Sequence, residues 1–129
     1  MLEERGAPEA GESLSRAERL RRRSDFLRCY RRGRRRHGSL SILYSSPNEE
    51  RHARLGITVS RKVGHAVVRH RVKRRIREIY RRWSGRRGLP PVDLVVHVKP
   101  EAASASFEEL RRELHGHFGV VHRGVRRAC

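Results

Sequence analysis

From Val63 to Trp83 the chain reads VGHAVVRHRVKRRIREIYRRW, with eight lysines and arginines in that span. At about 100° per residue, Val68, Val72, Ile76, Ile79 and Trp83 fall within one arc, with Tyr80 at its border. Lys73, Arg77, His70, Arg81 and Arg74 sweep the adjoining and opposite faces, and Arg71, Arg75 and Arg82 form a second cationic row. A disordered basic tail has no use for the apolar period, and a helix buried all round could not carry the charge. The spacing therefore predicts a helix that starts between Gly64 and Val68, is anchored by one stripe, and presents its remaining surface. Glu78 is its only acidic residue. Like charges at i,i+4, such as Lys73 with Arg77 and Arg71 with Arg75, cost a few tenths of a kcal/mol each. A bound polyanion relieves that repulsion, whereas a merely solvated face normally mixes signs.

The whole chain follows the same logic. Its 129 residues suit one domain, hydrophobic and charged residues each make up 36%, and the formal net charge is +18. A folded protein this basic repels itself and belongs against a polyanion, with nucleic acid ahead of an anionic membrane. No stretch approaches the roughly 20 apolar residues of a spanning helix, so no membrane partner is expected. Lys62, Lys73 and Lys99 are the only lysines. Arginine forks onto phosphate and stacks on bases, which suits RNA, although GC-rich codon usage explains the same bias equally well. The opening MLEERGAPEAGES lacks the basic and apolar regions of a signal peptide. With Cys29 and Cys129 as the only cysteines, a disulfide framework is not expected and a reducing cytoplasm is.

Residues 1–15 are polar, with no apolar period, and read as a disordered extension. Residues 16–122 read as one domain and 123–129 as a flexible tail. In RLRRRSDFLRCYRRG, Ser24 is placed to cap a short helix, Asp25 suits its positive end, and Gly33 stops it. Phe26, Leu27 and Tyr30 share one side. SLSILYSS alternates as a strand, with Leu40, Ile42 and Tyr44 on one face. RLGITVSRKVG alternates too, with Leu55, Ile57 and Val59 opposite Arg54, Gly56, Thr58 and Ser60. SGRRGLPP breaks the chain before a third strong strand, VDLVVHV. Ser106 with Glu109 fits a capping box for a last helix. Phe107, Leu110, Leu114 and Phe118 line that helix, and Gly116 and Gly119 weaken its end. The elements run helix, strand, strand, helix, strand, helix, with a split allowed in the second strand: a small α+β layer fold.

RLGITVSRKVGHAVVRHRVKRRIREIYR resembles the bacterial ribonuclease P protein component family. That family carries a strand ending in V-S-[KR]-K followed by G-x-A-V-x-R-N-R-x-K-R-x-x-R-E. RLRRRSDFLRCYRRG and SILYSSPNEERHARLG fit its F-x-x-x-[FY]-x-x-G and L-Y patterns, and VDLVVHVKP with SFEELRREL matches its closing strand and helix. The likeness covers about Leu20 to Leu114. It implies a two-layer α-β sandwich of order α-β-β-β-α-β-α, whose central helix crosses between parallel strands with an unusual left-handed connection. It also implies a role. The protein joins a catalytic RNA that removes the 5′ leader from precursor tRNA, Mg²⁺ sits on that RNA, and the protein carries no cofactor, metal or catalytic residue of its own. On this resemblance Arg61, Lys62, Arg69, His70, Arg71, Lys73, Arg74, Arg75 and Arg77 bind RNA, and Phe26, Tyr30, Tyr44 and Ser60 belong to the cleft that holds the leader. His70 stands where the family usually has Asn, so the amide's paired donor and acceptor are lost there.

Stacking of bases on aromatic rings contributes about 1–3 kcal/mol per base with little sequence preference, which a variable leader requires. Phe26 and Tyr44 fit the apolar period as well and suit core packing equally. A metal nuclease gathers carboxylates around Mg²⁺, and the chain has only Asp25 and Asp93 as aspartates. His115, His117 and His122 invite a metal reading, but glycines between them and the lack of a cysteine pair speak against one. The rival function is a structural, ribosomal-type RNA-binding protein, which shares the charge without needing an aromatic cleft. A DNA regulator would need Asn, Gln or Ser among its reading arginines. Oligomeric state is not legible.

Overall fold

The structure is a computed structural model, and it describes residues 14–128, with side chains to Gly124. Seven main elements follow in order: α1 (Arg23–Arg32), β1 (Arg34–His37), β2 (Ser41–Pro47), β3 (Arg54–Thr58), α2 (Ala66–Arg82), β4 (Val92–Val98) and α3 (Phe107–Ala128). The order is the expected α-β-β-β-α-β-α. Its first strand, however, is the arginine run Arg34–His37, which no apolar alternation announces. The sheet runs β1-β2-β4-β3. β1 and β2, and β2 and β4, pair antiparallel, whereas β3 and β4 are parallel neighbours joined through α2.

β4 alternates between two cores. Leu94, Val96 and Val98 join Leu43, Leu55 and the stripes of α2 and α3. Val95 faces the other way and packs with Leu20 and Cys29 of a smaller core under α1. On α2 the buried residues are Val72, Ile76, Ile79 and Tyr80. Tyr80 is thus central rather than marginal, because its ring stands edge-on to Phe118 of α3 at 5.3 Å. Gly64, just ahead of α2, has φ +154°, and a Cβ there would press on Val68. Only glycine turns the chain into the helix at that point.

Several sequence expectations are corrected. Ser24 does not cap α1: the N-cap is Arg22, with no side-chain bond, and Ser24 lies in the first turn. Leu14, assigned to the extension, is buried in the main core. Ser15 starts a short turn by exchanging bonds with Glu18, so the packed domain begins before residue 16. Residues 1–13 lie outside the described residues. Phe107 is 39% exposed, while Leu110, Leu114 and Phe118 are buried. α3 runs through Gly116 and Gly119 to Ala128, so helix occupies most of the segment expected as a tail. Leu114 and Phe118 hold it to the core on either side of Gly116. The expected capping box is present: Ser106 N–H donates to Glu109 Oε1 at 2.8 Å, and Glu109 N–H to Ser106 Oγ at 3.1 Å. No helix among the described residues is long and apolar enough to cross a membrane.

His117 of α3 is buried and joins that helix to the β1–β2 hairpin. Arg36 Nη1 donates to its Nδ1 at 2.9 Å. A guanidinium only donates, so the ring proton sits on Nε2, which donates to Ser41 Oγ at 3.1 Å. Ser41 donates in turn to Glu113 Oε2 at 2.6 Å, and Glu113 also accepts from Leu40 N–H. Burial is the main cause lowering the pKa of His117, and it does the same to His97 and His115. The unfolded imidazole titrates near about 6.5. With the folded values below that, the unfolded chain binds more protons in acid, so this stability is complete above the unfolded value and is lost as pH falls through the folded ones. The melting temperature at fixed ionic strength should therefore fall from pH 7 to pH 5. Each excess proton on the unfolded chain contributes a slope of about 1.4 kcal/mol per pH unit. Calorimetry of His117→Gln should show a shallower slope than the parent. Independently, Gly116→Ala should raise stability by about 0.5–1 kcal/mol, because the added Cβ meets Arg36 only at an ordinary 3.5 Å.

Candidate nucleic-acid interface

The face of the sheet under α1 is only partly covered. Across it, register sets Tyr44, Val95 and Gly56 in one row and Ile42, His97 and Thr58 in the next. α1 lays Phe26, Cys29 and Tyr30 over these rows. Cys29 is fully buried and burial pushes its thiol up to about 12, so it packs as a small apolar group. Tyr30 and Tyr44 stand nearly edge to face at 4.6 Å, and His97 lies 5.9 Å from the first ring and 6.5 Å from the second. The Tyr30 hydroxyl bonds both Thr58 Oγ1 at 2.9 Å and His97 Nδ1 at 3.0 Å. All four side chains are half-buried, so this side of the sheet presents partly open aromatic rings above the strands.

Asp93 is the polar anchor beneath these rings. Arg54 grips it in a fork, Nε to Oδ1 at 2.8 Å and Nη2 to Oδ2 at 2.9 Å, and Asn48 donates to Oδ1 at 2.8 Å. The same guanidinium lies 3.6 Å from Asp25 of α1. Both aspartates therefore serve one arginine, and Arg54's pKa is raised chiefly by its hydrogen bonds to Asp93.

The edge of β3 links the aromatic side to the cationic side. Leu20 N–H donates to Leu55 O at 2.9 Å. Beyond that bond a cavity of about 290 Å³ opens, lined by Phe26, Gly56 and Ile57 and by Arg19, Arg21, Lys73 and Arg77. Phe26 and two cationic residues of α2 thus share one wall across the sheet edge. A Cβ on Gly56 would stand 2.7 Å from the Phe26 ring, so the absence of a side chain seats that ring.

The remaining candidates lie at different places. Arg74, Arg77 and His70 are exposed on the outer face of α2, with Lys73 beside them half-buried. Arg71 and Arg75 lie on the opposite flank and donate to the carbonyls of Ala103 and Ala105 at 3.3 and 3.5 Å. They brace the turn before α3 rather than converging with Lys73 and Arg77. Arg69 is half-buried, and its Nε, like that of Arg71, is shielded without a partner among the described residues. Ser60, Arg61 and Lys62 are exposed in the turn after β3, where Lys62 N–H donates to Ser60 Oγ at 3.3 Å. Among the described residues, none of Arg61, Lys62, Arg69, Lys73, Arg74 and Arg77 has an ion-pair partner. Sequence reading missed His97 and Gly56. The signal for His97 was its place as the one polar residue among the valines ending β4; nothing local marks Gly56, whose role depends on α1 crossing it. Gly56→Ala should displace Phe26 and cost about 1–3 kcal/mol by overpacking. Chemical denaturation measures the loss, and near-ultraviolet circular dichroism reports the disturbed aromatic packing.

A family model described as Ribonuclease P matches residues 14–122. The ribonuclease P protein component of Desulfovibrio desulfuricans is 45% identical over 101 residues, covering 76% of this chain and 76% of that protein. That of Citrifermentans bemidjiense is 38% identical over 107 residues, covering 83% and 90%. The structure of the Staphylococcus aureus RNase P protein aligns with TM-score 0.74 at 29% identity, over 81% of this chain and 95% of that one. The Thermotoga maritima RNase P protein aligns with TM-score 0.68 at 32% identity, over 82% and 96%. The arginine-lined helix, the aromatic rings and the α-β order thus sit on a fold and sequence shared with these proteins, and the chain belongs to the ribonuclease P protein component family.

Proposed function

We propose that this chain is the RNA-binding subunit of a ribonucleoprotein ribonuclease P, assisting a catalytic RNA in removing the 5′ leader of precursor tRNA. The observation that carries the reading is the cavity at the β3 edge, where Phe26 meets Lys73 and Arg77. A single strand crossing that edge passes from cations that hold phosphate to rings that stack bases. Tyr30, Tyr44 and His97 continue the aromatic path, and Ser60, Arg61 and Lys62 flank it. Arg69, His70 and Arg74 offer further phosphate contacts on α2 toward the partner RNA. Arg71 and Arg75 contribute with the donors left over from bracing the turn before α3.

The phosphodiester chemistry and its Mg²⁺ are assigned to the RNA. The reading is supported by what the described carboxylates already do. Asp25 and Asp93 serve Arg54, Glu78 pairs with Arg81 and Arg82, and Glu113 holds the hairpin turn.

Two classes of substitution separate interface from scaffold. Ile76→Ala removes buried volume and should lower stability by about 2–5 kcal/mol. Arg74→Ala with Arg77→Ala should leave stability unchanged, weaken binding to the ribonuclease P RNA, and flatten the log–log salt dependence by about 0.7–0.9 per lost phosphate contact. Phe26→Ala or Tyr44→Ala should weaken binding of leader-bearing precursor 5- to 150-fold, for about 1–3 kcal/mol of stacking, with far less effect on mature tRNA. Equal losses on both ligands, with folding intact, would contradict a leader cleft. An unchanged salt slope would remove α2 from the interface, and leader release by rigorously RNA-free protein would overturn the assignment of chemistry to the RNA.

A further inference from the structure

A second concave surface lies on the other face of the sheet. There β1 and β2 diverge from the end of α3 and leave a groove of about 720 Å³. Leu43 and Val92 form its floor and Val120 and Val121 one wall, with Pro90 and Pro91 closing the end. Leu43 belongs to the core beneath α3, so the groove is separated from the Tyr30–Tyr44–His97 cleft by the thickness of the sheet. Arg32, Arg34 and Arg36 stand around the groove, whereas Arg35, paired with Tyr44, turns its side chain to the other face. Arg36 is fixed by His117. Arg32 and Arg34 are exposed and have no ion-pair partner among the described residues. Val120 is itself 40% exposed.

An apolar floor with a guanidinium rim is the complement of one ligand chemistry, a flat ring bearing phosphates. The volume falls within the range of about 300–1,000 Å³ typical of small-molecule sites. Ser45 places a hydroxyl on the lining, able to donate to or accept from a base edge. Guanidinium forks match phosphate oxygens. A hydrophobic peptide would use the floor and leave the arginines unanswered, whereas free anions would use the arginines and leave the floor. We propose that this groove is a second RNA site, which takes one unstacked base against Val120 and Val121, above the Leu43 and Val92 floor, while Arg32 and Arg34 hold the flanking phosphates. The inference rests on the reading of the chain as an RNA-binding subunit, and adds to it a contact on the face opposite the cleft. The protein then grips RNA from both sides of its sheet.

Backbone amide NMR of the full chain tests this by titration with a short single-stranded oligoribonucleotide and, in parallel, with inorganic polyphosphate. The oligoribonucleotide should shift the amides of Leu43, Ser45, Val92 and Val121, and polyphosphate should shift only those of the arginine rim. Val120→Glu, at an exposed position, should abolish the groove shifts and weaken that site at least five-fold, while the shifts at Tyr30 and His97 persist. Arg32→Ala with Arg34→Ala should weaken the same site, and Arg74→Ala with Arg77→Ala should leave it unchanged. If amides of the cleft or α2 move and the groove does not, the second site is wrong and the RNA-binding reading stands; if no amide moves, that reading itself fails. Equal responses to both probes would reduce the groove to an adventitious anion site. Groove shifts on replacing Glu3, Glu4, Glu9 and Glu12 by Gln in RNA-free protein would make the chain's own N-terminal segment the occupant and overturn the proposal.

Discussion

Strand β4 is committed on every side. It has β2 on one flank and β3 on the other, helices α2 and α3 under one face, and α1 over the other. Its valines and Leu94 therefore feed two cores at once. A strand in that position tolerates no slip, because a shift of one residue would exchange the two faces. Asp93 would then enter the main core without Arg54, and Leu94 would face the cleft. The register of β4 thus places Asp93 under α1 and His97 beside Tyr30. The site is a consequence of how one strand is held.

Charge distribution completes the arrangement. Asp25, Asp93, Glu78, Glu109 and Glu113 sit where they brace the scaffold: on Arg54 beneath α1, at the C-terminal end of α2, in the capping box of α3, and in the hairpin turn. The middle of α2, residues 71–77, which carries the densest cations, receives none of them among the described residues. Among the described residues, the cations of that stretch thus have no carboxylate of the same chain to displace before meeting a phosphate. Arg54 with Asp93 belongs to the structural class. Such a pair adds less to stability than its geometry suggests, because desolvation offsets attraction, and its value lies in fixing one arrangement of α1 over the sheet.

What was legible in the sequence followed period. The stripe of α2, the alternation of VDLVVHV and the Ser106–Glu109 box each express a local rule that the tertiary structure also obeys. The arginine strand β1 was illegible as a strand because an edge strand with every residue exposed needs no apolar alternation. The length of α3 was misjudged because helix propensity penalises glycine locally, whereas Leu114 and Phe118 hold the helix from a distance. Phe26, Tyr30 and Tyr44 were placed through family likeness. Their meeting with His97 and Thr58 depends on cross-strand register, which no single segment encodes. The same holds for the division of α2's arginines: the sequence sets their angles about the axis, but only the position of the Ala103–Ala105 turn decides that Arg71 and Arg75 are engaged.

The exposed edge of β1 has a meaning beyond ligand contacts. An open strand edge is a template on which another copy can pair, and proteins blunt such edges with charge. Here the edge is Arg34, Arg35, Arg36 and His37 in succession. Two copies meeting edge to edge would set guanidinium against guanidinium along the whole ladder, where directly opposed like charges destabilise pairing. A subunit this basic must persist, at least briefly after synthesis, without its polyanion. The arginine edge makes that interval safe, since strand-to-strand self-association is repelled until RNA supplies the counter-charge.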